Sequence, residues 1–252
     1  SQISLQPINR FDFDFIILFS DILVIPHCLG QNVQFKENIG PILKPIKFRE
    51  LSSSIENSMA KLSPVFDTLK ILKKKKKEKK IIGFCGGPFT VLNYMIEGGT
   101  SKKHKKILEF IKEEDKAKCY IEKILEFSIE YLKRQIKSGA DMLQIFDSWA
   151  GLLEPKEFEK FIIKPSIEIS KEIKKSYPEI PLIFFPRGSK RKITKFIDEV
   201  KCDVISLDEI TNDDIQNCKK KKIIIQGNLS PTILLKGGKP LIEEVKKIWK
   251  GK

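Results

Sequence analysis

The stretch Met142-Leu143-Gln144-Ile145-Phe146-Asp147-Ser148-Trp149-Ala150-Gly151 holds the key to the fold. Met142–Phe146 reads as a short strand buried on both faces, and the chain then stops in a polar turn at Asp147-Ser148. The same figure recurs along the chain. Apolar runs at Ile16–Ile25, Ile81–Cys85, Leu182–Phe185, Val204–Leu207 and Ile223–Ile225 are mostly continuous. They carry Ser20-Asp21, Gly86-Gly87-Pro88, Pro186-Arg187-Gly188, Asp208 and Gln226-Gly227-Asn228 at their C-terminal ends. Helical patterns lie between them. Lys102–Ser138 is long enough for two helices. Pro155–Lys175 opens on a proline and sets Phe158, Phe161, Ile162 and Ile169 on one side. Ser189–Val200, Thr211–Cys218 and Pro240–Lys250 follow, with Ser189 and Thr211 as candidate N-caps. Segment 31–58, with Gly40, Pro41 and Pro45, reads as an excursion from the core.

Strands alternating with helices predict a parallel sheet. An open doubly wound sheet would concentrate its signal at a glycine-rich first turn. Cys85-Gly86-Gly87-Pro88 is not that turn, because Pro88 lacks the N–H a phosphate cradle uses. Functional residue types at every strand end suit a ring of loops around one site, the design of a barrel. The expected class is therefore α/β, a (β/α)8 TIM barrel in a single domain over 1–252, with about six of the eight strands present.

The chain has 252 residues, with 47 basic side chains against 33 acidic ones and a formal charge of +14. Only five of the basic residues are arginine, the side chain whose planar fork matches phosphates and base edges. Many lysines and few alanines suit A/T-rich codons and solvated faces better than a nucleic-acid partner. The runs Lys73–Lys77 and Lys219–Lys222 each close a helical pattern, where cations complement the helix dipole. No apolar run approaches the 18 or so residues of a membrane span. Five scattered cysteines, at 28, 85, 119, 202 and 218, argue for a reducing compartment, either a cytosol or a plastid-like organelle. No targeting segment is present, and the chain opens at Ser1 within structured sequence, which suggests a fragment.

Four blocks stand out: Phe19-Ser20-Asp21-Ile22-Leu23, Tyr94-Met95-Ile96-Glu97-Gly98-Gly99, Phe146-Asp147-Ser148-Trp149-Ala150-Gly151 and Gln226-Gly227-Asn228-Leu229. Taken together, these motifs resemble the uroporphyrinogen decarboxylase family. Leu5-Gln6-Pro7, Pro88-Phe89-Thr90, Arg187-Gly188 and Leu207-Asp208 extend the resemblance over nearly the whole chain. It implies a (β/α)8 barrel acting as a homodimer, a carboxy-lyase that needs no cofactor and no metal. The substrate implied is a tetrapyrrole whose four acetate arms become methyls. It also implies that the family's arginine-rich first strand belongs before Ser1 and its last strand after Lys252. These 252 residues alone are therefore expected to be inactive, and the parent chain active. The sequence departs from the family at Pro186, where a small residue is usual, and at Glu209, where an aromatic is common.

Each candidate residue has a bland reading beside the functional one. Asp21 could cap the segment after it; the resemblance makes it the catalytic carboxylate, accepting pyrrole N–H groups and opposing positive charge. Tyr94 could be a buried ring with a satisfied hydroxyl, and Ser148 a turn hydroxyl. The resemblance makes both donors to substrate carboxylates. Arg10 and Arg187 could hold carboxylates by bidentate pairing, although Arg187 could equally pair with Asp147 or Asp208. His27 and Cys28 are neighbours whose side chains diverge in an extended segment, so they are not expected to share a metal. His104, amid lysines, reads as solvated, and Trp149 as packing. A zinc-dependent corrinoid methyltransferase of the same barrel would need a His-x-Cys pair where this chain has Phe184-Phe185-Pro186-Arg187-Gly188. A non-catalytic porphyrin-binding paralogue is the further alternative.

Overall fold

The computed structural model describes residues 1–75 and 78–250. Six strands form one parallel sheet: β1 (Phe15–Ile17), β4 (Lys80–Gly86), β5 (Met142–Asp147), β6 (Leu182–Pro186), β7 (Val204–Ser206) and β8 (Ile224–Gln226). Their spatial order is their chain order, β1-β4-β5-β6-β7-β8. A doubly wound sheet would reverse direction partway; this one never does, so the connections all run one way round. It is the curled wall of a (β/α)8 barrel with six of the eight strands.

Alternation along each strand separates two faces. Ile81, Leu143, Ile145, Leu182, Phe184 and Ile205 are buried beneath helices; Phe184, for instance, meets Phe196 of the helix Ile193–Glu199 at 5.7 Å between ring centroids. The other face carries Phe84, Phe146 and Phe185 in edge-to-face contact, at 5.6 Å and 6.5 Å. Beside them runs a polar row: Gln144 donates to Ser206 Oγ at 3.5 Å, and Ser206 bonds Gln226.

The first strand is shorter than its apolar run. The apolar run Ile16–Ile25 predicts a longer strand, but the ladder ends with the bond from Leu18 N to Ile82 O, and Val24–Cys28 is a helix. The reason lies in the helix Glu114–Ser138. Its buried Gln135 accepts from Phe84 N and donates to Phe84 O, both at 2.9 Å, and so takes the place on β4 that a longer β1 would occupy. Gly83 permits the approach, since a Cβ there would overlap the Gln135 carbonyl oxygen.

The excursion contains more order than its composition suggests. β2 (Val33–Lys36) and β3 (Gly40–Leu43) pair as an antiparallel hairpin, and Leu43 N bonds Gly98 O at 3.0 Å. Lys102–Ser138 is two helices as expected, Lys105–Phe110 and Glu114–Ser138. Pro155–Ser176 is helical throughout, with a wide turn over Glu159–Ile163. Thr211 caps Asn212–Lys221 reciprocally with Asp214. Ser189 does not cap: it is buried, and a short tight turn, Lys190–Lys192, precedes Ile193–Glu199. The lysine runs fall as expected, at the ends of Ser63–Lys75 and Asn212–Lys221; Lys76 and Lys77 lie outside the described residues. No helix among the described residues is long and apolar enough to cross a membrane.

Candidate active site

The turns that leave the C-terminal ends of the strands close on one another. Ile22 packs against Gly86, and Asp147 against Gly87. Gly151 N donates to Arg187 O at 2.9 Å, and Gly188 N donates to an Asp208 carboxylate oxygen at 3.0 Å. Gly188 takes φ +72°, open to glycine at little cost, and its carbonyl comes so near Gly151 that a side chain there would meet it. Asp21, Ser148 and Arg187 stand on these turns.

Asp21 is half-buried where β1 has left the sheet. Its Oδ1 accepts from Leu23 N at 2.7 Å, the local cap that the bland reading describes. This uses one oxygen; among the described residues no donor reaches the other. The neighbouring Ser20 hydroxyl lies 3.4 Å from the Tyr131 phenol, which burial pushes well above its ordinary pKa. Ser148 and Tyr94 are half-buried, and no hydrogen bond forms at either hydroxyl among the described residues. Tyr94 belongs to the helix Pro88–Glu97, and its ring lies 6.4 Å from Trp149. The 25-residue helix Glu114–Ser138 would measure about 38 Å, against some 23 Å for the longest strand. Its first turns therefore overreach the sheet and give Pro88–Glu97 a wall to pack against.

Arg187 is exposed and pairs with neither Asp147 nor Asp208; only its backbone N–H meets Asp147 O, at 3.2 Å. Its guanidinium has no carboxylate partner among the described residues. Arg10 is not brought to this face. It ends the helix Gln2–Phe11, just before β1 begins, close to Asp12, whose ion pair with Lys79 (2.7 Å) marks the N-terminal ends of β1 and β4.

Asp147 is the most deeply buried carboxylate of the cluster, 4% exposed. Its Oδ1 accepts from Thr90 Oγ1 at 2.6 Å and from Thr90 N at 3.2 Å. Burial outweighs those bonds and pushes its carboxyl up to about 7. His104 corrects the sequence reading: it is 4% exposed, not solvated. A left-handed turn at φ +50° swings it away from the lysines beside it, onto Asn93 (3.0 Å from Nδ1) and against Trp149 (4.2 Å between centroids). Burial holds its pKa below the ordinary value, favouring the neutral imidazole. Trp149 packs between His104 and Tyr94, in keeping with its reading as a packing residue.

The profile of the family described as "Uroporphyrinogen decarboxylase (URO-D)" matches residues 1–252. This chain belongs to the uroporphyrinogen decarboxylase family. Its relatives named "Uroporphyrinogen decarboxylase" include one from Rickettsia bellii (strain RML369-C), 44% identical over 251 residues, covering 98% of this chain and 74% of the relative. Another, from Rickettsia rickettsii (strain Sheila Smith), is 42% identical over 254 residues and covers 98% and 72%. Among solved structures, a methyltransferase from Methanosarcina mazei superposes with TM-score 0.75 at 18% identity, covering 98% of this chain and 73% of that one. A B12-independent methionine synthase from Shewanella sp. W3-18-1 follows at TM-score 0.54 and 12% identity, covering 89% and 67%. At such identities the likeness of these two to this chain is one of fold alone. Among the described residues no three His, Cys, Asp or Glu side chains gather as a metal set.

The aromatic trio Phe84, Phe146 and Phe185, the Asp147–Thr90 pair and the His104–Asn93 contact were not singled out from sequence. The trio had a signal, a phenylalanine near the end of three successive strands. The other two join residues 57 and 11 apart in the chain, without local pattern.

Proposed function

We propose that this chain is a carboxy-lyase that removes the four acetate carboxyl groups of uroporphyrinogen, leaving methyls and giving coproporphyrinogen, in tetrapyrrole biosynthesis. The observation that carries it is membership of the family over the whole chain, with Asp21 intact at the turn where β1 leaves the sheet. The substrate is its own electron sink, so the reaction needs no added cofactor. A proton adds to a pyrrole ring carbon, and the C–C bond to the carboxylate breaks toward the cation. CO2 leaves, the exocyclic methylene takes a proton and becomes methyl, and the ring carbon gives its proton back. Each acetate thus consumes one proton and releases one CO2.

In this reading the open Asp21 oxygen accepts pyrrole N–H groups and opposes the cation, an interaction strengthened where water is excluded. The hydroxyls of Tyr94 and Ser148, without partners among the described residues, donate to side-chain carboxylates, and Arg187 pairs with another. Phe84, Phe146 and Phe185 offer an apolar floor to the macrocycle. Arg10 stands at the opposite ends of the strands, and its placement lends no support to a substrate contact. We further propose that two more strands close the barrel between β1 and β8, and that the closed molecule is a homodimer. The named relatives are bacterial, which supports a cytoplasmic enzyme and gives a plastid no support. A methyltransferase reading rests only on shared fold, and a non-catalytic binder sits poorly with an intact Asp21, Tyr94 and Ser148.

The test is to incubate uroporphyrinogen with the chain, alone and with its open edges completed by the remaining segments of the Rickettsia bellii relative, and to separate products by carboxyl number. The completed protein is expected to yield the four-carboxyl product, and its Asp21→Ala variant at least a hundredfold less. Undiminished substrate in the completed protein would overturn the proposal.

A further inference from the structure

Two segments carry the proposed substrate contacts, and they are distant in sequence. Ser148 follows β5, and Tyr94 stands on the helix after β4. Among the described residues neither hydroxyl has a partner to hold its side chain, so each depends on the backbone beneath it. Thr90 is where those backbones meet. Its hydroxyl donates to Asp147 Oδ1 at 2.6 Å and accepts from Trp149 N at 3.2 Å, which clasps the turn on both sides of Ser148. Its own N–H donates to the same carboxylate oxygen at 3.2 Å. Thr90 and Tyr94 are four residues apart, on one face of the helix. A bond that fixes Thr90 therefore fixes the rotation of the helix that presents Tyr94.

The fit behind the pair is close. Gly87 N donates to Phe146 O at 2.8 Å, and any Cβ at Gly87 would overlap the Asp147 carboxylate. The carboxylate is buried, has no cation partner among the described residues, and spends its side-chain bonds on Thr90. It is placed to orient.

We infer that Asp147 and Thr90 are positioning residues for the proposed decarboxylation, clamping the Ser148 turn to the Tyr94 helix so that both hydroxyls face one substrate. The inference rests on the function proposed above. Holding two contacting groups in place before substrate arrives avoids the ordering cost at binding. Because Thr90 Oγ1–H donates, it can bond Oδ1 whether the acid is neutral or ionised, and burial brings both forms within reach near neutral pH, the carboxyl being pushed up to about 7.

The experiment compares Thr90→Val, which keeps the volume and loses the hydroxyl, with Thr90→Ser, which keeps the hydroxyl and loses a methyl. Dissociation constants for uroporphyrin are read on the 252-residue chain by porphyrin fluorescence anisotropy, and turnover on the completed protein, with melting temperature beside each. Thr90→Val is expected to weaken binding and lower kcat/KM about tenfold, and Thr90→Ser to stay within about twofold of the parent. A purely structural role predicts that binding follows melting temperature; positioning predicts that it follows the hydroxyl. Parent-like binding and turnover in Thr90→Val overturn the inference and leave the proposed function standing. A parent that neither binds uroporphyrin nor turns over uroporphyrinogen overturns both.

Discussion

Asp147 ends β5, Asp21 stands four residues past the end of β1, and the two carboxylates meet opposite fates. Asp21 is half-buried with one oxygen unpartnered among the described residues; Asp147 is sealed behind Gly87 with both donors from one threonine. Burial holds the Asp147 carboxyl at about 7 in the folded chain, against an ordinary 3.8. The folded state therefore binds more protons than the unfolded one between about pH 4 and 7. Stability from this group falls as pH rises through that window, and the full penalty applies above it. Asp147→Asn removes the titration. Urea unfolding is expected to show the variant gaining on the parent by roughly 2–4 kcal/mol from pH 4 to pH 8. A difference that stays constant across that range would contradict the burial argument. Little of this was legible beforehand: Asp147 looked like a turn acid or a partner for Arg187, because its real partner lies 57 residues away.

Among the elements, the decisive junction is where β1 leaves β4. Gln135 closes the hydrogen bonds of Phe84, and the freed chain turns at Asp21. Gln135→Leu would strand two buried backbone groups. It is expected to destabilise the chain by about 2–5 kcal/mol, with amide hydrogen exchange at Phe84 accelerated before the other β4 amides. Uniform acceleration along β4 would show that the glutamine plays no local part. At the other end of the sheet, Thr211→Ala removes the hydroxyl half of a reciprocal cap, leaving the bond from Thr211 N to Asp214, and is expected to cost about 1 kcal/mol in the same unfolding measurement. That cap was readable from residue type, since Thr followed three residues later by an acid is a local signature. The early end of β1 was not, because an apolar run records burial, and Leu23 and Ile25 are buried off the sheet.

For the whole molecule, the curled sheet has two free edges, β1 and β8. Phe15 (43%), Ile17 (56%) and Ile224 (65%) are exposed there, and Trp249 is 75% exposed on the last helix. Edges with exposed apolar side chains are templates for pairing. The 252-residue chain is expected to self-associate and to bind a hydrophobic dye, and completion with the relative's segments to suppress the dye signal and leave a dimer by light scattering. A monodisperse monomer that binds no dye would speak against an open edge that seeks strands.

Read alone, the chain specifies six strands in order, their turns, and Asp21, Tyr94 and Ser148 as candidates. Apolar runs and turn chemistry are local, and four long motifs name the family that uses them. Three-dimensional packing settled what those patterns leave open. It left Arg187 exposed at the strand ends and set Arg10 at the opposite ones, buried His104 against Trp149, and joined Thr90 to Asp147. Such outcomes depend on which ends of elements come together in space, and spacing along the chain carries no record of that.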